Sequence, residues 1–87
     1  KDKEGEAFDG IISGIMDFGF FVELTENKCE GLVRMQSLHD DHYVFDKDNY
    51  SIKGRQWGKK YQLGDMVSVM VSEVDVIKKQ VDLEIVH

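Results

Sequence analysis

From Gly19 to Leu24 the chain reads GFFVEL, so Phe20, Val22 and Leu24 share one face of an extended segment and Phe21 and Glu23 the other. The same two-residue period returns twice near the C-terminus. In DMVSVMVSEVD (65–75), Val67, Val69 and Val71 fall on one side, and Val74 breaks the phase, which predicts a bulge near Ser72–Glu73. In QVDLEIV (80–86), Val81, Leu83 and Ile85 point inward against Gln80, Asp82 and Glu84, and VIKK (76–79) makes the preceding turn. EAFDGIISGIM (6–16) predicts a first strand whose Gly10 and Gly14 mark a bend, a bulge or a close backbone approach. CEGLVR (29–34) predicts a short third strand after a turn at Asn27-Lys28. No stretch of twelve residues keeps a convincing helical period, so the chain reads as all-β, and strongly bent strands point to a small closed barrel.

Residues 35–64, MQSLHDDHYVFDKDNYSIKGRQWGKKYQLG, interrupt this regularity. Loops of this length are uncommon in compact domains and are often functional or partly structured. A short helical turn near Ser37–His42 and an extra hairpin around Tyr50–Tyr61 are expected within it. Five strands with a long connection between the third and fourth fit the five-stranded Greek-key OB-fold barrel.

Composition narrows the picture. With 87 residues and no proline, there is room for one core and one domain. The opening KDKEGEAF has no initiator Met and no apolar leader, and no apolar run approaches the roughly 20 residues of a membrane span. The expectation is a non-membrane, monomeric domain excised from a longer chain. Cys29 is the single cysteine, so no internal disulfide forms, which suggests a reducing, cytoplasmic setting. The net charge of −6 argues against a polyanionic partner, because phosphate binding relies on Lys and Arg releasing counterions. That average hides a division. Residues 1–50 carry 12 acids and 5 bases, residues 51–87 carry 5 acids and 6 bases, and SIKGRQWGKKYQLG (51–64) holds four bases and no acid. A local basic segment can steer a polyanion when the acids lie elsewhere.

Each candidate site has a plain structural reading beside the functional one. Phe21, outward if Phe20 is inward, is either an ordinary exposed apolar residue or a platform on which a base stacks. Phe18, in the turn before Gly19, can approach it. Lys53, Arg55, Trp57, Lys59, Lys60 and Tyr61 interleave cations with aromatics; they form either a solvated hairpin with Trp57 capping the barrel, or a surface for phosphates and rings. HDDH (39–42) suggests a divalent metal, but no second ligand set follows, and a solvated loop with Ser37 or Asp40 capping a turn explains it as well. Asp17-Phe18-Gly19 spells the magnesium-binding tripeptide of protein kinases without the rest of a kinase. Asp46-Lys47-Asp48-Asn49 starts like a calcium loop, but Ser51 stands where that loop needs glycine and Trp57 where it needs glutamate. No catalytic triad or dyad is visible, so the domain by itself is not read as an enzyme.

Taken together, GEAFDGIISGIMDFGFFVEL, CEGLVR and YQLGDMVSVMVSEVDVIKKQVDLEIV resemble the S1 RNA-binding domain from end to end, with FGxFVEL, EGLV and LGDxVxVxVxxVD in order. The resemblance implies an OB barrel that binds single-stranded RNA. The long 35–64 connection is similar to that of ribonuclease R-type members of the ribonuclease II family, which implies a parent 3′–5′ exoribonuclease. Its catalytic domain, with Mg2+, would lie outside these residues. By position, the resemblance places the RNA surface on Phe18, Phe21, Arg34, Asp75 and Lys79, with Asp75 holding Lys79 or a ribose hydroxyl. Arg34 stands where many S1 domains have histidine and Lys79 where many have arginine. The cations of residues 53–60 have no counterpart in shorter S1 domains. Two alternatives remain: an OB module that docks other domains of its parent chain, and an S1 module of a ribosomal or translation protein or of polynucleotide phosphorylase.

Overall fold

The computed structural model of the chain describes residues 6–26 and 28–86. Strands β1 (Ala7–Met16) and β2 (Gly19–Leu24) form an antiparallel hairpin closed by the two-residue turn Asp17-Phe18. β2 pairs with β3 (Glu30–Arg34), the last three strands of the chain being β6 (Lys60–Gln62), β7 (Met66–Asp75) and β8 (Gln80–Ile85). β3 runs parallel to β8, β8 pairs antiparallel with β7, and β7 returns to β1, which closes a barrel in the order β1-β2-β3-β8-β7. This is the five-stranded barrel that the alternating segments predict.

The inward faces are the expected ones. Phe20, Val22, Val33 and Val69 are fully buried with Ile12 and Leu83, while Val67, Val71, Val81 and Ile85 pack partly buried around them. Each fully buried side chain of this size stabilises the fold by about 1.5–3 kcal/mol relative to leaving it in water. The broken phase at Val74 is a bulge: β7 slips register against β8 between Val71 and Glu73. β1 slips against β2 between Ile12 and Gly14, and a Cβ at Gly10 would run into the Val22 side chain, so both glycines sit where the strand bends or is closely approached. Gly19 opens β2 at φ +153°, and a Cβ there would collide with the Val33 carbonyl. No other residue fits that approach. Lys28, at φ +62°, makes the β2–β3 turn by donating its N–H to the Leu24 carbonyl (2.9 Å); Asn27 lies outside the described residues.

The long connection is more ordered than the sequence suggests. Its helical turn is a single 3-10 turn at Met35–Ser37, earlier than Ser37–His42. The Ser37 hydroxyl donates to the Arg34 carbonyl (2.7 Å) and Leu38 N–H to the Met35 carbonyl (3.1 Å), so the turn closes as soon as β3 ends. Burial of Leu38 then pulls the chain back into the core and leaves no length for a helix through His42. A three-stranded antiparallel sheet follows, made of β4 (Tyr43–Asp46), β5 (Ser51–Gly54) and β6. The β5–β6 hairpin occupies the expected place, and β4 is an additional strand. Ile52 stands opposite both Phe45 and Tyr61. The Tyr61 ring stacks on Phe20 at 5.0 Å and tilts against Tyr43 at 5.7 Å, joining the inserted sheet to the barrel core. Trp57 does not cap the barrel. It is 72% exposed, while Tyr61 takes that position at 3%.

Candidate nucleic-acid interface

Phe21 stands directly opposite Gly14 on β1, and its ring lies 3.6 Å from where a glycine Cβ would be. A ring laid over a cross-strand glycine covers the bare backbone, which explains why Phe21 is half-buried rather than fully outward. Phe18 is 52% exposed, and its carbonyl accepts the Met35 N–H (2.8 Å), so the tip of the β1–β2 hairpin is anchored to the end of β3. Both rings line one groove together with Glu30, Lys78 and Lys79. Two aromatic side chains beside two ammonium groups can hold a planar ring and an anion at once.

The β7–β8 turn positions the two lysines. Asp75 accepts the Lys78 backbone N–H (3.1 Å), and Lys79 turns the chain at φ +55° into β8. Asp75 therefore shapes the turn through the Lys78 amide, beside the expected roles of holding Lys79 or a ribose hydroxyl. Val76 and Ile77, at the tip of the same turn, are 78% and 93% exposed.

Arg34, at the end of β3, pairs with Asp82 on the adjacent β8 at 3.6 Å. It shares with Phe18 a cleft of about 460 Å³ between the barrel and the inserted sheet, lined also by Met35, Leu38, Asp41, His42 and Tyr43. Burial, together with the Tyr61 phenol and Asp40, raises Tyr43 well above the ordinary tyrosine range, so it stays a neutral donor to Asp40 (3.1 Å).

The basic residues of 53–60 do not form one cluster. Lys53 and Lys60 face each other across β5 and β6. Lys59 and Lys60 line a separate groove against β7 and the end of β8, with Lys59 Nζ 5.4 Å from the Tyr61 ring centroid. Arg55 instead borders a depression with Asp41, His42 and Gln56. Trp57 projects into solvent beside it in sequence.

The acidic residues considered for metal binding have structural partners. Asp41 accepts backbone N–H groups from His42 (2.6 Å), Gln56 (3.0 Å) and Trp57 (2.7 Å). Burial would raise its pKa, but these three amides and the nearby His42 outweigh it and hold the carboxyl below the usual range. Asp46 accepts the Asn49 side-chain amide (2.8 Å) and the Asn49 and Asp48 N–H groups, which lower it likewise with help from Lys60. Among the described residues no three His, Cys, Asp or Glu side chains converge to hold a metal ion, and no helix there is long and apolar enough to cross a membrane.

Glu30, Lys78 and Asp82 escape a reading by sequence alone, and Asp41 and His42 enter it only within HDDH, as candidate metal ligands. Lys78 carries a signal, being the other half of a Lys-Lys turn. Nothing marks Asp41 as the support of the Gln56–Trp57 turn, because those amide partners lie 15 and 16 residues downstream and their side chains are irrelevant to the contact.

Comparison with known proteins agrees with this fold. Residues 1–86 match the family model described as S1 RNA binding domain. Ribonuclease R of Aquifex aeolicus is 46% identical over 87 residues, all of this chain and 12% of that protein. Ribonuclease R of Escherichia coli is 38% identical over 85 residues, 98% of this chain and 10% of that protein. Among solved structures, the apo form of Mycoplasma genitalium RNase R superposes with a TM-score of 0.89 at 36% identity, over 95% of this chain and 13% of that one. The same protein in complex with ribose methylated single-stranded RNA matches equally. The chain thus spans about a tenth of the length of the curated relatives it matches. With the closed barrel, the FGxFVEL hairpin and the match over residues 1–86 in agreement, the chain belongs to the S1 RNA-binding domain family and is homologous to the S1 domain of ribonuclease R.

Proposed function

We propose that this domain grips single-stranded RNA by stacking bases on Phe18 and Phe21 while Lys79 and Arg34 hold the adjoining phosphates. The observation that carries the reading is the single groove in which both rings meet Lys78 and Lys79. Asp75 contributes by shaping the turn that presents the lysines. Lys53, Arg55, Lys59 and Lys60 add phosphate contacts on the inserted sheet, and Trp57 a further ring. Discrimination among bases is slight, since every base has a face to stack and backbone cations read no sequence. By homology to ribonuclease R, the domain serves as the accessory RNA-binding part of a processive 3′–5′ exoribonuclease of the cytoplasm. The magnesium that such a hydrolase uses would sit in a catalytic domain outside these residues, and the domain itself is monomeric.

A labelled single-stranded oligonucleotide titrated at several salt concentrations tests this. Affinity should fall with salt, and Lys79→Ala should reduce the slope of log K against log salt by about 0.7, one phosphate on a single strand. A salt-independent affinity would instead favour the second reading, docking of other domains of the parent chain onto apolar surface. The exposure of Val76 and Ile77 is the observation that supports that alternative.

A further inference from the structure

The groove that holds Phe21 does not stop at Phe18. The Phe18 ring also lines the larger cleft between the barrel and the inserted sheet, which Asp41 and His42 line as well. His42 in turn borders the depression that contains Arg55 and Gln56. Phe18 thus borders both the first hollow and the second, and Asp41 and His42 border both the second and the third, so the three hollows adjoin.

Beside the third hollow the turn carrying Trp57 is fastened from below. Asp41 accepts the N–H groups of Gln56 and Trp57, and His42 offers its carbonyl to Arg55 N–H at 2.9 Å. Gly54 lets the Asp41 carboxylate come close, since a Cβ there would collide with it. The result is a turn whose side chains lie in water but whose backbone is held in place. A turn whose backbone is already held loses less freedom when its exposed ring binds a partner. Asp41 itself lines the cleft and the depression, and its carboxylate is taken up by the backbone amides of His42, Gln56 and Trp57.

We propose that an RNA strand leaving the Phe18–Phe21 platform runs through this cleft past His42 and stacks a second time on Trp57. In this arrangement Asp41 is the positioning residue for the Arg55–Trp57 turn, His42 is a hydrogen-bonding contact along the way, and Arg55 meets a phosphate. The inference rests on the RNA-binding reading above and assigns that RNA a second point of contact on the inserted sheet.

Trp57 is the single tryptophan, so intrinsic fluorescence reports this position alone. The probes are oligoadenylates of about 4 and about 12 nucleotides, spanning the site sizes usual for OB folds. The short RNA should bind and respond to Phe18→Ala without changing Trp57 emission. The long RNA should quench Trp57 and bind about 5- to 150-fold tighter, the value of one more stacked base. Part of any gain with length is statistical, so the variants decide. Trp57→Ala, on an exposed side chain that leaves the core untouched, and Asp41→Asn should each bring the long RNA down towards the short one. A length gain that survives Trp57→Ala, unchanged Trp57 emission with the long RNA, or quenching by the short RNA overturns the inference. If the short RNA fails to bind or ignores Phe18→Ala, the platform reading falls, a result distinct from losing the length gain alone.

Discussion

Tyr61→Ala removes a ring that stacks on Phe20 at 5.0 Å, tilts on Tyr43 at 5.7 Å and is 3% exposed. Truncating a core aromatic to alanine costs about 3–5 kcal/mol, lost burial and cavity together. A domain of 87 residues has roughly 4–13 kcal/mol of stability in all, so the change consumes a large share. At about 4–8 °C per kcal/mol for a domain of this size, Tm should fall by about 12 °C or more. Tyr61→Phe keeps the ring and should retain most of the stability. Trp57→Ala, on a side chain 72% exposed, should stay within about 0.5 kcal/mol of the parent, or under about 4 °C. The assay is thermal unfolding of the three variants followed by far-ultraviolet circular dichroism. Equal losses for Tyr61→Ala and Trp57→Ala would refute the argument that Tyr61 seals the inserted sheet onto the barrel.

Removing the Asp82 charge frees Arg34 from its 3.6 Å partner. Asp82→Asn should therefore raise RNA affinity up to about 5-fold, the scale of a partly exposed ion pair, measured by anisotropy of labelled RNA; a weaker complex would show that Asp82 orients Arg34 instead of competing for it. Asp41 and Asp46 are both held below the ordinary carboxylate range. A lowered folded pKa adds stability that is complete above the unfolded value, near pH 4, and is lost as pH falls through the folded value. Urea midpoints should thus drop below about pH 4, and Asp41→Asn should flatten that acid limb; an identical limb in the variant would disprove the amide contacts as its source.

The barrel was legible because its segments alternate. Phe20 and Phe21 are neighbours in sequence, and the two-residue period alone sends one into the core and leaves the other on the wall. The bulge at Val71/Glu73 showed itself in the same way, as a break of phase at Val74. The inserted sheet was less legible. Its strands are only four, four and three residues long, too short for a period to emerge, so β4 was missed. Tyr61 and Trp57 look alike as aromatics among lysines, and only the pairing of Tyr61 with Ile52 shows which of them turns inward. Phe18 and Phe21 are candidates already from the alternation and the turn before Gly19, whereas Arg34 and Lys79 enter only through the resemblance to a family. The separation of Lys59 and Lys60 from Arg55 is a matter of register and needs the structure.

The central claim is that Phe18 and Phe21 form a stacking platform. Backbone amide NMR of the domain, titrated with a short single-stranded RNA, tests it most directly. The account predicts shifts concentrated at Phe18–Glu23, Arg34 and Lys78–Lys79, weakened by salt and largely abolished by Phe18→Ala, which removes a stack worth about 1–3 kcal/mol. Shifts that centre on Ile11 and Met66 across the barrel, or that persist unaltered in Phe18→Ala, would contradict it.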